Sequence, residues 1–175
     1  MAHYTLIPHP EFPPLAVRAV TVELTDGGDR LDIFYRVEGA AEMVWPAPAL
    51  PVRTDGLWKA TCFELFLKPV DLTGYFEFNF SPSGQWAAYA FDGYRTGMRD
   101  LSQPRPPHIR RGGDRVEVDC ALAGRRDAPM RVALTAVIEE SGGRRSFWSL
   151  AHPPRAPDFH HDDCFVARLA APGRP

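Results

Sequence analysis

The chain has 175 residues, enough to close a core without staples, and its three cysteines cannot complete a disulfide framework. A net charge of -2 gives no electrostatic case for nucleic acid, which favours a strongly basic face. No apolar run approaches the roughly 20 residues that span a bilayer, and the opening segment has neither a charged n-region nor an apolar h-region. A membrane partner is therefore not expected, and the cytoplasm is the expected compartment, with Cys62, Cys120 and Cys164 as free thiols.

Alternation with period two organises most of the chain. Val20, Val22 and Leu24 alternate, TDGGD turns the chain, and Leu31, Ile33, Tyr35 and Val37 alternate against Arg30, Asp32, Phe34 and Arg36. A proline-rich connection, WPAPALPVRTDG, leads to LWKATCFELFL at 57–67. In YFEFNFSPSGQWAAYAF, Phe76, Phe78 and Phe80 face one way, SPSG turns, and a second strand runs from Gln85 to Phe91. That pattern is a hairpin. Residues from about Asp92 to Pro107 show no periodicity. Arg105, Arg110, Arg111, Arg125 and Arg126 are broken up by Pro, Gly and Asp and read as solvated loops. Val116, Val118, Cys120 and Leu122 alternate next, then come RVALTAVIEE, SFWSL and CFVARL, with AAPGRP as a tail.

About nine short strands with turns between them predict an all-β, antiparallel β-sandwich of jelly-roll kind, with helix confined to a turn or so in the loops. Eighteen prolines agree, since proline is poorly tolerated inside helices and central strands. One domain is expected over 1–175, with its core at about 15–170.

LWKATCFELFL carries a carboxylate at the centre of an apolar strand. Phe63, Leu65 and Leu67 alternate as a buried face should, which turns Glu64 the other way. By the same rule Tyr75, Glu77 and Asn79 oppose Phe76, Phe78 and Phe80. If these strands are neighbours, Glu64, Glu77 and Asn79 share one polar face with Trp58 at its edge. Carboxylates and amides pair with hydroxyls, and an indole offers a flat apolar surface to a pyranose, so this face has the makings of a saccharide site. The plainer reading is the wet side of an antiparallel sheet.

Glu64 and Glu77 could also serve a glycoside hydrolase, which needs two carboxylates about 5–10 Å apart. Nothing in the sequence separates an acid from an ionised partner, and no G-x-S-x-G, H-E-x-x-H or phosphate-cradling loop is present. Binding is therefore preferred to catalysis. PDFHHDDCF, if extended, puts Asp158, His160 and Asp162 on one side, a set that suits a divalent metal. The spacing fits no standard motif, so a polar loop is the plainer reading and no cofactor is expected.

LWKATCFELFL followed by YFEFNFSPSGQWAAYAFDGYR resembles the family 9 carbohydrate-binding modules and the related DOMON-like domains, in particular a stand-alone bacterial DOMON-like group. The closing SFWSLAHPPRAPDFHHDDCFVARL is similar to the end of the same domain, so the likeness spans most of 15–170. It implies two tryptophans around a terminal sugar and a glutamate six residues after the first, which Trp58 and Glu64 match. It also implies an amide or basic residue on the next hairpin strand, near Asn79, and a second tryptophan in the segment of Trp148. Other DOMON domains bind haem through a Met and a His, but no matching motif places Met43, Met98 or Met130 opposite a histidine.

Overall fold

The computed structural model describes residues 1–122 and 128–171. Arg125, Arg126 and the end of the expected tail lie outside the described residues. Among the described residues there are twelve strands and three 3-10 turns, and no α-helix. In chain order the strands are β1 (Ala2–Pro8), β2 (Ala19–Asp26), β3 (Arg30–Glu38), β4 (Cys62–Pro69), β5 (Tyr75–Phe80) and β6 (Trp86–Phe91). They continue with β7 (Arg99–Asp100), β8 (His108–Gly112), β9 (Arg115–Ala121), β10 (Met130–Glu140), β11 (Arg144–Ser149) and β12 (Ala167–Leu169).

Every ladder between these strands is antiparallel, in the order β7-β6-β5-β4-β10-β11-β1-β2-β3-β9-β8, with β12 also on β10. β1 closes the architecture. Its start pairs with β2, from Ala2 opposite Leu24 to Leu6 opposite Val20, and its end pairs with β11 at Ile7 and Pro8. One strand thus passes from one layer to the other, and the curled sheet packs on itself as a sandwich.

The alternating residues fill the space between the layers. Val20, Val22, Leu24, Leu31, Ile33, Tyr35 and Val37 from one side meet Phe63, Leu65, Leu67, Phe78 and Phe80 from the other. Tyr35 and Phe63 touch across the layers, with ring centroids 4.8 Å apart. Phe76, first on the inward row of β5, is only partly buried.

Three strands have no clear sequence signal. β1 buries only Leu6 fully, and β7 and β8 are almost wholly exposed, so burial imposes no alternation on them. Two expected strands are shorter than their apolar pattern. LWKAT forms a 3-10 turn over Leu57–Lys59 before β4 starts at Cys62. CFVARL is a strand only from Ala167, because Cys164 closes a 3-10 turn.

The expected wet face of the sheet is the main correction. The outer side of β4, β5, β6 and β10 carries a second apolar cluster: Phe66, Tyr75, Tyr89, Phe91 and Val137, covered by Phe159, Cys164 and Phe165. The layer is therefore buried on both sides, and a carboxylate there is not solvated. The chain between β11 and β12 supplies the cover.

Glu140, at the end of β10, is fully buried and makes no ion pair among the described residues, since Arg144 opposite it on β11 bonds the Pro13 carbonyl instead. Its carboxylate accepts from three successive backbone N–H groups, Leu15 at 2.8 Å, Ala16 at 2.6 Å and Val17 at 3.0 Å. This pins the segment before β2 across the sandwich. Glu140→Gln replaces one charged acceptor by an amide that cannot accept all three, and should cost about 1–3 kcal/mol. A urea melt that moves by less than about 0.5 kcal/mol would show that water can replace the clamp.

Candidate functional site

Strand register decides which outward side chains meet. Thr135 of β10, Glu64 of β4, Asn79 of β5 and Ala87 of β6 form one row. Ala133, Phe66, Glu77 and Tyr89 form the next. Glu64 and Glu77 are therefore diagonal neighbours on adjacent strands, one row apart. Above them is a cavity of about 420 Å³, lined by Trp58, Glu64, Phe66, Glu77, Tyr89 and Phe91 on one side and by Arg95, Pro157, Phe159 and His160 on the other.

Each carboxylate is held differently. Glu64 is 2% exposed and accepts from Thr135 Oγ1 at 2.9 Å. Burial pushes its carboxyl up to about 8, the charge of Glu77 adds to this, and the Thr135 bond opposes it. Glu77 accepts from Asn79 Nδ2 at 2.7 Å. Burial raises its pKa too, against the pull of Asn79 and the Arg95 guanidinium. Asn79 does not line the cavity, and its part is to orient Glu77.

His160 Nε2 lies 3.7 Å from Glu77 Oε2, but the contact is not an ion pair at neutral pH. Burial, with help from Arg95, lowers the imidazole to about 4, so the ring is neutral. Tyr75 fixes its orientation. The phenol oxygen accepts from the Arg95 backbone N–H at 3.2 Å and shares a hydrogen bond of 2.7 Å with His160 Nδ1. Arg95 itself has φ 52, uncommon for a non-glycine residue. Its guanidinium bonds Asp158 at 2.7 Å, and Tyr94 OH donates to the same carboxylate.

The wall opposite the histidine is also tied down. Tyr89 OH donates to Asp55 Oδ1 at 2.6 Å, which joins the floor of the cavity to the turn before Trp58. That turn starts at Gly56, whose φ of 73 is the left-handed region that favours glycine. It presents Trp58 at the cavity edge, 50% exposed. An indole so exposed beside buried carboxylates is not explained by packing.

The expected residues are therefore only partly brought together. Trp58, Glu64 and Glu77 line one cavity, with Asn79 behind them. Trp148 is not there. It is 1% exposed in the core between the layers, where its Nε1 donates to Ser146 Oγ at 2.9 Å. Its parity on β11 points inward, and burial of the largest side chain in the core accounts for it.

The metal reading does not survive the geometry of 158–164. The segment is a turn and a 3-10 helix rather than extended, so Asp158, His160 and Asp162 are not on one side. Asp158 holds Arg95, while Asp162 bonds Lys68 and Arg131, each at 2.7 Å. Among the described residues no group of three His, Cys, Asp or Glu side chains is placed to hold a metal ion. Met43 and Met130 are in the main core, and Met98 stands at the cavity mouth.

Thr135, Phe66, Tyr89 and Arg95 belong to the site and were not assigned to it from the sequence, and His160, read there as a possible metal ligand, lines the cavity instead. For the first three the signal exists: each has the outward parity of Glu64 or Glu77 on its strand. Arg95 and His160 come from irregular segments, where no periodicity reports position.

The architecture has known counterparts. A protein of Bacteroides uniformis provisionally assigned to carbohydrate binding superposes with a TM-score of 0.63 at 16% identity, over 97% of this chain and 85% of that one. A family 9 carbohydrate-binding module of Caldicellulosiruptor kristjanssonii, in complex with cellotriose, superposes with a TM-score of 0.51 at 14% identity, over 90% of this chain and 76% of that one. The fold is that of the family 9 carbohydrate-binding modules. At the level of sequence, no protein-family model and no curated protein matches the chain. Among the described residues no helix is long and apolar enough to cross a membrane.

Proposed function

We propose that the chain binds a small saccharide, without transforming it, in the cavity between Trp58, Glu64, Glu77 and Tyr89. The observation that carries this is a half-exposed indole at the mouth of a 420 Å³ cavity with two buried carboxylates on its floor. That volume lies within the ~300–1,000 Å³ usual for small-molecule pockets. Trp58 offers a stacking face for the ligand's C–H surface, and Glu64 and Glu77 take its hydroxyls. The likeness to modules that bind sugars supports the reading.

The glycosidase alternative has less support. It needs two carboxyl groups on either side of a scissile bond, whereas Glu64 and Glu77 are diagonal neighbours on one floor of the cavity.

Calorimetric titration with a panel of mono- and oligosaccharides, glucose and cellotriose included, tests the site. Trp58→Ala and Glu77→Gln should each weaken the ligand by at least about tenfold, the equivalent of one stacking or charge-assisted contact. No saturable binding across the panel, or affinity untouched by both substitutions, would overturn the proposal.

A further inference from the structure

Glu64 and Glu77 face the same cavity and neither meets a cation. Thr135 bonds one oxygen of Glu64, and Oε1 has no hydrogen-bond partner among the described residues. Glu77 has Asn79 on one oxygen and a neutral His160 ring 3.7 Å from the other. The guanidinium on the cavity wall, Arg95, is bonded to Asp158 and acts on Glu77 only at a distance, without a hydrogen bond to it among the described residues. The other titratable neighbours of Glu64 are Cys62 and Tyr35, both acids and both buried. Two carboxylates thus stand over an aromatic surface of Trp58, Phe66, Tyr89 and Phe91.

Hydroxyls satisfy such a pair poorly. A neutral sugar can donate hydrogen bonds, but it brings no positive charge, so Glu64 must stay protonated beside Glu77 and the pair can carry only part of its charge. An ammonium brings three donors and one positive charge to the same place, and ring faces attract it further. We propose that the preferred ligand is an amino sugar whose protonated amine sits between Glu64 and Glu77. This rests on the saccharide reading above and narrows it to one chemical class. Because burial holds Glu64 protonated near neutral pH, seating the cation should also expel a proton.

Isothermal titration of the full chain with glucosamine, glucose and methylammonium separates the two ideas, at about pH 6.5 where the sugar amine is charged. Glucosamine should bind at least about tenfold more tightly than glucose. Its heat should depend on the ionisation enthalpy of the buffer, as proton release requires. Glu77→Gln and Glu64→Gln should each erase most of that preference, and thermal melts of both variants establish that they are folded. Glucose bound as tightly as glucosamine would overturn the amine proposal and leave saccharide binding standing. Methylammonium bound as tightly as glucosamine would overturn both, since the sugar ring would contribute nothing. Binding of none of the three probes would also overturn the amine proposal.

Discussion

Phe78→Ala is expected to remove about 3–5 kcal/mol of stability, the range for truncating a buried aromatic side chain. Phe78 is at the middle of β5, opposite Leu65 on one side and Ala88 on the other. Its ring lies near parallel to that of Phe80, with centroids 6.4 Å apart, and almost none of it reaches solvent. Ala88 cannot swing into the space that an alanine at 78 would leave, and the facing layer is held by its own ladder. The cavity would therefore persist, and its volume adds to the lost transfer free energy. Equilibrium urea unfolding measures the loss. A change below about 1 kcal/mol would mean that β5 has the opposite face inward.

Glu64→Gln is expected to stabilise the protein in alkaline solution, by an amount that grows with pH. The folded carboxyl titrates at about 8 against an ordinary 4.5. Between these values the folded chain keeps a proton that the unfolded chain gives up, so stability falls as pH rises through this window and levels above it. The full effect is on the order of 5 kcal/mol, and a glutamine at this position does not titrate. His160 works in the opposite direction at lower pH. Its depressed value, about 4 against 6.5, makes stability rise as pH rises through that interval. The two slopes oppose each other up to about pH 6.5, so the decline from Glu64 should emerge above it. Urea midpoints for the wild type and Glu64→Gln should nearly coincide at pH 4.5 and separate steadily toward pH 9. Parallel curves would show that Glu64 is already ionised in the folded chain.

How much was legible followed burial. Where one face of a strand packs on the core and the other does not, parity reports direction, and β2, β3 and β9 were readable for that reason; β4 and β5 are buried on both faces and were readable because polar residues break their apolar runs on one side. Parity also turned Glu64, Glu77 and Asn79 to one side, and the ladder places them there. What parity cannot report is what lies on top. LWKATCFELFL gives no hint that Phe159 and Phe165, about a hundred residues on, cover the outer face of β4. The carboxylate in that strand is not a wet outer residue. It is a buried acid at the floor of a cavity. Trp148 shows the opposite limit, because an aromatic between Phe147 and Ser149 reads equally as core or as site until the register of β11 is known.

Crystals of the protein soaked with the tightest-binding saccharide would test the site most directly. The expected result is a single sugar in the cavity, with its ring against Trp58, its polar groups on Glu64 and Glu77, and Trp148 untouched in the core. A saccharide bound elsewhere on the molecule, with the cavity of Glu64 and Glu77 unchanged, would contradict it.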